Sequence, residues 1–218
     1  EIIAEPLIAH HRMSKEDMNE KVKSLMDDVG LSHEYLERFP HEFSGGQRQR
    51  ISIARSLALK PQFIVCDEPV SALDVSTQSQ VLNLLKELQR KYGLTYMFIS
   101  HNIGVVNFIS HRVAVMYLGH IVEIAGADEI HARPMHPYTQ ALFSAVPEAD
   151  PTIQKQRTLL PGDVPSPANP PSGCCFHPRC SRCIDKCRTQ IPVLQDVGDN
   201  HMVACFCPGK DDAVKSEV

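Results

Sequence analysis

Phe63-Ile64-Val65-Cys66-Asp67-Glu68-Pro69 decides the fold. Four apolar residues in a row, closed by two carboxylates and a proline, read as a strand buried on both faces. Thr95 to Ile99 is a second run of the same kind. Between them, residues 76–91 form an amphipathic helix with Val81, Leu84, Leu85 and Leu88 on one side. Upstream, residues 13–29 repeat with a helical period; Ser14 and Asp17 make a capping pair and Gly30 a stop. A further helix is predicted from Ser44 to Leu59. Downstream, a helix runs from Ile103 to Ser110, and Val113–Tyr117 and Ile121–Ile124 flank Leu118-Gly119-His120 as a hairpin. Strands alternating with helices predict an α/β fold whose parallel sheet is covered on both faces.

The 218 residues make one domain or one and a half, at about 150 residues per domain. Apolar residues are 43% and charged residues 22%, as in a globular chain, which excludes a collagen-like or wholly disordered protein. The net charge is −4 and no basic excess points to nucleic acid. Aromatics are 6% with no Trp, too few for a single-strand stacking platform. No apolar stretch is long enough to span a bilayer. The chain opens on Glu1 rather than Met, and a fragment is the expectation. Composition changes after Gly126, which suggests domains at 1–126 and 127–218, the second dense in proline over 147–180. Of eight cysteines, seven lie between Cys174 and Cys207, the other being Cys66. A disulfide scaffold would spread them, so a metal or iron–sulfur site is the better expectation.

Four short elements between residues 43 and 101 carry phosphate chemistry. Phe43-Ser44-Gly45-Gly46-Gln47 opens a helix. Its glycines let backbone approach a ligand, Ser44 caps, and a helix N-terminus attracts an anion. Asp67 and Glu68 end a strand at the edge where α/β folds bind ligands. Asp67 suits Mg²⁺, and Glu68 suits polarising a water. Ser71-Ala72-Leu73-Asp74 leads into the next helix, and Ser100-His101-Asn102 follows the second strand. Each alone has a plain reading: a capped loop, an acidic turn, an N-cap, a structural histidine.

Together and in this order they resemble the ATP-binding-cassette ATPases over residues 1 to about 125. The resemblance implies a RecA-like parallel sheet core plus a helical signature subdomain. It makes Ser44, Gly45, Gly46 and Gln47 the signature loop acting on a partner's nucleotide, with Phe43 in place of the usual Leu. It makes Asp67 the Walker B aspartate holding Mg²⁺, Glu68 the catalytic base, Asp74 the D-loop aspartate and His101 the switch histidine. It also implies a head-to-tail ATPase dimer binding ATP. A Walker A loop, Gly-x4-Gly-Lys-Ser/Thr, is absent; the one Gly-Lys, Gly209-Lys210, is followed by Asp211. The chain is therefore expected to start just past the glutamine loop, to be inactive alone, and to leave a sheet edge and core face open to solvent.

His136-Pro137-Tyr138-Thr139-Gln140-Ala141-Leu142, the Pro161–Pro171 stretch and the cysteines resemble the C-terminal extension of oligopeptide/dipeptide (and nickel) importer ATPases, over about 131–207. That resemblance makes Cys174, Cys180, Cys187 and Cys205 ligands of a four-iron four-sulfur cluster, with Zn²⁺ the alternative because Cys180-x2-Cys183 is a zinc spacing. Cys175 stands ready to replace Cys174, and Cys207 to replace Cys205. The implied whole is the energy-coupling subunit of a peptide importer. It would lie peripherally on the cytoplasmic face of a bacterial or archaeal plasma membrane. Its partners would be a second ATPase subunit, two transmembrane permeases and, indirectly, an extracellular or periplasmic peptide-binding protein. The alternative is a non-catalytic module that completes another subunit's site and binds metal through its tail. A soluble cassette ATPase acting on DNA or ribosomes would lack this tail.

Overall fold

The computed structural model describes residues 1–10, 13–146 and 157–209. Two compact units divide between Asn102 and Ile103, so the hairpin expected in the first domain belongs by packing with the tail, whereas the composition changes only after Gly126.

The first unit holds α1 (Glu5–His10), α2 (Lys15–Asp28), α3 (Gly45–Leu57), β1 (Phe63–Asp67), α4 (Val75–Tyr92) and β2 (Thr95–Ile99). Single 3-10 turns at His33–Tyr35 and Pro40–Glu42 join α2 to α3. The starts are set by capping. Ser14 accepts from the Asp17 N–H, and Asp74 from the Thr77 N–H. Ser44 accepts from the Gln47 N–H while the Gln47 side chain accepts from the Ser44 N–H, a reciprocal box. Gly93, at φ 62°, closes α4 in the left-handed region where a Cβ is costly. Val81, Leu84, Leu85 and Leu88 are buried as the helical period requires. Each such burial contributes roughly 1.5–3 kcal/mol.

β1 and β2 pair in parallel, Phe63 opposite Thr95 and Asp67 opposite Ile99. A complete sheet of this kind would be covered on both faces; here one face is open, in line with the expected lack of neighbouring strands. Cys66 is buried, but Phe63, Val65, Met97 and Ile99 share the other face and are 42–54% exposed. Within the described residues this sheet has two strands, and nothing in its unit packs on that face.

The second unit holds α5 (Ile103–Ile109), β3 (Arg112–Tyr117), β4 (His120–Gly126), α6 (Ala127–Ala132), α7 (Pro137–Ser144), α8 (Asp185–Thr189), β5 (Gln195–Asp196) and β6 (Met202–Val203). β3 and β4 form the predicted hairpin, with Leu118 and Gly119 both at positive φ in its two-residue turn. The tail then adds strands that the sequence did not reveal. The antiparallel sheet runs β3-β4-β6-β5, with Glu123 opposite Val203. Its core joins Tyr117, Val122 and Ile130 to Phe143, Phe176 and Cys187. Phe176 is buried beneath Tyr117 at 5.2 Å and Tyr138 at 5.5 Å between ring centroids.

Candidate functional site

The first unit places its acid–base pair at the carboxyl ends of two neighbouring parallel strands. Asp67 is the last residue of β1 and Ile99 the last of β2. The Glu68 N–H donates to the Ile99 carbonyl at 3.0 Å, tying the turn after β1 to the turn after β2. Glu68 takes φ 44°, a left-handed conformation that a non-glycine residue rarely adopts. Ser71 fixes that turn from the other side, its N–H and Oγ both donating to the Glu68 carbonyl. So aimed, Glu68 Oε1 lies 2.9 Å from His101 Nδ1. This hydrogen bond is the chief reason that the Glu68 carboxyl titrates below its ordinary value. Asp67, Glu68 and His101 are all exposed, open to a ligand.

Asp74 and the signature residues are placed differently. Asp74 caps α4, and the Thr77 backbone N–H holds its carboxyl below the usual range. Ser44 caps α3 through the reciprocal box with Gln47. Gly45 and Gly46 stand at the start of α3 against the entry to α4 rather than in open space. A Cβ on Gly46 would come within 2.4 Å of Thr77 Cγ2, and one on Gly45 within 3.3 Å of Leu73 Cδ2. Ligand approach explains a glycine only where space is free; at Gly46, close helix packing explains it as well. The expected chemistry residues thus fall into a touching pair, Glu68 and His101, and two packed helix starts, at Ser44 and at Asp74.

In the second unit Cys174, Cys180, Cys187 and Cys205 line one small cavity of about 10 Å³, beside Cys207 and His136. Burial pushes the Cys180 and Cys205 thiols up to about 11, and raises Cys174 as well, so these sulfurs are protonated when no metal is bound. The Cys207 N–H donates to Cys205 Sγ at 3.3 Å. Four thiols suit iron–sulfur or zinc chemistry. Their spacing does not: among the described residues no three His, Cys, Asp or Glu side chains stand in a metal-holding arrangement. The space amounts to about one water, so the cluster and zinc expectations lack a formed site.

His136, which lines the same cavity, is consumed structurally. Its Nδ1 accepts from the Tyr138 N–H at the start of α7, and burial pushes its titration down to about 4. Sequence reading missed Glu123 and His201, both fully buried and 2.7 Å apart. A charged residue within a strand's apolar run was the signal that could have flagged Glu123. Among the described residues no helix is long and apolar enough to cross a membrane.

Two family descriptions match. Residues 3–71 match "ABC transporter", and residues 122–187 match "Oligopeptide/dipeptide transporter, C-terminal region". The oligopeptide transport ATP-binding protein OppF of Escherichia coli is 55% identical over 209 residues, covering 94% of this chain and 62% of that protein. The dipeptide transport ATP-binding protein DppF of Haemophilus influenzae is 51% identical, covering 94% and 63%. A putative peptide import ATP-binding protein of Brucella ovis is 53% identical, covering 94% and 65%. The chain thus spans under two thirds of the length of these curated relatives. Among solved structures, a dimeric ATP-binding cassette bound to ADP and phosphate aligns with TM-score 0.51 at 31% identity, over 57% of this chain and 54% of that one. An inward-facing putative metal-chelate type ABC transporter aligns with TM-score 0.57 at 26% identity, over 67% and 57%.

Proposed function

We propose that the chain belongs to the ATP-binding-cassette transporter ATPases of the oligopeptide/dipeptide kind, and that its protein couples ATP hydrolysis to peptide import. The observation that carries the proposal is the Glu68–His101 contact at 2.9 Å across the ends of two parallel strands. Glu68, kept ionised, accepts a proton from the attacking water. His101 orients that carboxylate and reaches toward the phosphate being cut. Asp67 stands beside them as the Mg²⁺ aspartate, the hard cation offsetting charge on the phosphates. Ser44, Gly45, Gly46 and Gln47 present the start of α3 to nucleotide held by a partner ATPase subunit. Asp74 holds the start of α4 beside that loop. The match over residues 122–187 supports peptide as cargo. Two permeases and a peptide-binding protein complete the assembly on the cytoplasmic face of the plasma membrane, with this chain peripheral.

The test uses the complete transporter. Glu68→Gln should keep ATP binding and subunit closure while lowering turnover by about 10²–10⁴-fold; hydrolysis at the unaltered rate would remove Glu68 from the role of base. No Gly-x4-Gly-Lys-Ser/Thr stretch occurs in the 218 residues. The chain on its own should therefore fail to bind a fluorescent ATP analogue tightly, and tight saturable binding would contradict this.

The convergence of four thiols on one cavity favours a second reading, in which the tail holds a metal or an iron–sulfur cluster through Cys174, Cys180, Cys187 and Cys205. Binding would have to draw the thiols into a new arrangement and deprotonate them. Protein purified without oxygen and assayed for iron, sulfide and zinc tests it; a colourless preparation free of all three would end it.

A further inference from the structure

Given the proposed role of Glu68 as base, on which this rests, the geometry points to Ser71 as the positioning residue for that carboxylate. Its hydroxyl, bonded to the Glu68 carbonyl, keeps Glu68 aimed without taking part in nucleotide or metal binding.

Asp67 and Glu68 are neighbours held by different means. Asp67 is the last residue of β1, and its backbone is set by the ladder to β2, where it stands opposite Ile99. Glu68 is the first residue outside the strand. Its N–H donates to the Ile99 carbonyl at 3.0 Å. Its own carbonyl accepts twice from Ser71, from the N–H at 3.3 Å and from Oγ at 3.1 Å. The N–H bond closes an ordinary four-residue turn, with Pro69 in the place proline favours. That bond is longer than the usual value of about 2.9–3.0 Å. The hydroxyl uses the second lone pair of the same oxygen, a tie that an ordinary turn lacks. With N–H and carbonyl each fixed, the Cα–Cβ bond between them has one direction. It sends the carboxylate to 2.9 Å from His101 Nδ1. The φ of 44° makes the grip necessary, since a non-glycine residue stays there only where its neighbours over-determine it.

The surroundings separate this tie from the rest of the site. Ser71 is exposed, so removing its hydroxyl opens no cavity. The turn that carries His101 has its own serine: the Asn102 N–H donates to Ser100 Oγ at 3.1 Å. Asp74 caps α4 through Thr77, and Gly45 and Gly46 meet Leu73 and Thr77, all beyond Ser71 in the chain. A slack turn would therefore displace the Glu68 carboxylate while Asp67, Ser44 and Gln47 stay in place. Metal and nucleotide contacts should survive, and activation of water should suffer.

The experiment uses the complete transporter. Ser71→Ala should lower kcat for ATP hydrolysis by about 10–100-fold, the scale of a reacting group misplaced by roughly 1 Å. KM for ATP and the melting temperature should hardly change. Ser71→Thr, which keeps the hydroxyl, should recover most of the loss. In a Glu68→Gln background, followed by single-turnover hydrolysis, Ser71→Ala should cost nothing further, because a positioning residue has no effect once its target is gone. Parent kcat in Ser71→Ala, a Ser71→Thr protein as slow as Ser71→Ala, or a further loss on top of Glu68→Gln would each overturn the positioning role. So would a KM that rises together with a falling melting temperature, which is the mark of a plain structural part. Failure of the underlying reading looks different: Glu68→Gln hydrolysing at the parent rate would remove the base itself, and this inference with it, whatever Ser71→Ala does.

Discussion

Glu68 owes its position to backbone rather than to its carboxylate. Its φ of 44° is a conformation usually left to glycine, and it is locked by bonds to Ile99 and Ser71. Strain of this kind persists only where its surroundings over-determine it, and it collects at working sites. The carboxylate then rests on His101. Replacing that partner in His101→Ala should return the Glu68 carboxyl toward 4.5. In a carboxyl-carbon NMR titration its midpoint should move up in pH, so the base would be lost at higher pH as the solution is acidified. An unmoved midpoint would mean that His101 does not set it. The positions of Glu68 and His101 at strand ends were legible because each closely follows an apolar run that marks a strand. Glu123 and His201 were not: they lie 78 residues apart, and each alone is an unremarkable polar side chain.

At the scale of elements, the capping residues and the apolar stripe gave α2, α3 and α4 to within two residues or so, because those signals are local. The four-stranded sheet was hidden, because β5 and β6 are two residues each and exist only by pairing with β4. Packing at element ends makes two predictions. Gly46→Ala should destabilise the first unit by about 1–3 kcal/mol, through the 2.4 Å approach to Thr77 Cγ2. Adding Thr77→Ser, which deletes that methyl but keeps the backbone bond to Asp74, should recover most of the loss in a double-mutant cycle by denaturant melts. Strict additivity would refute the contact. Gly173 has φ 68° and would drive a Cβ to 2.4 Å from the Cys187 carbonyl, beside the Cys174 N–H bond to that same oxygen. Gly173→Ala should therefore cost at least about 1–3 kcal/mol and speed reaction of Cys174 and Cys187 with a thiol reagent. Unchanged labelling would count against that role.

Over the whole molecule, the exposed side of β1 and β2 governs behaviour in solution. Phe63, Val65, Met97 and Ile99 form an apolar face, and among the described residues the two-stranded sheet has both its edges unpaired. Such surfaces seek other chains. The 218-residue chain alone should self-associate in light scattering at micromolar concentration. Phe63→Lys with Val65→Thr should reduce that association without loss of helical signal. A monodisperse monomer with a sharp cooperative melt would argue that the face is satisfied some other way. Fold class was readable because alternating strands and helices are a global pattern. The open face was readable only from the lack of a Walker A stretch and not from Phe63–Cys66, since a buried strand and a strand awaiting a neighbour share one composition.

The long span between Glu123 and His201 also sets an order of events during synthesis. The hairpin of β3 and β4 leaves the ribosome first, with Glu123 lacking its imidazole partner until 78 more residues have been made. At about 5–20 residues per second that interval is roughly 4–16 seconds, long compared with the microseconds in which a hairpin forms. During it the nascent sheet carries an acid without its imidazole and an open edge on β4. His201 and β6, the last strand among the described residues, close both together, so the second unit becomes native only when they arrive.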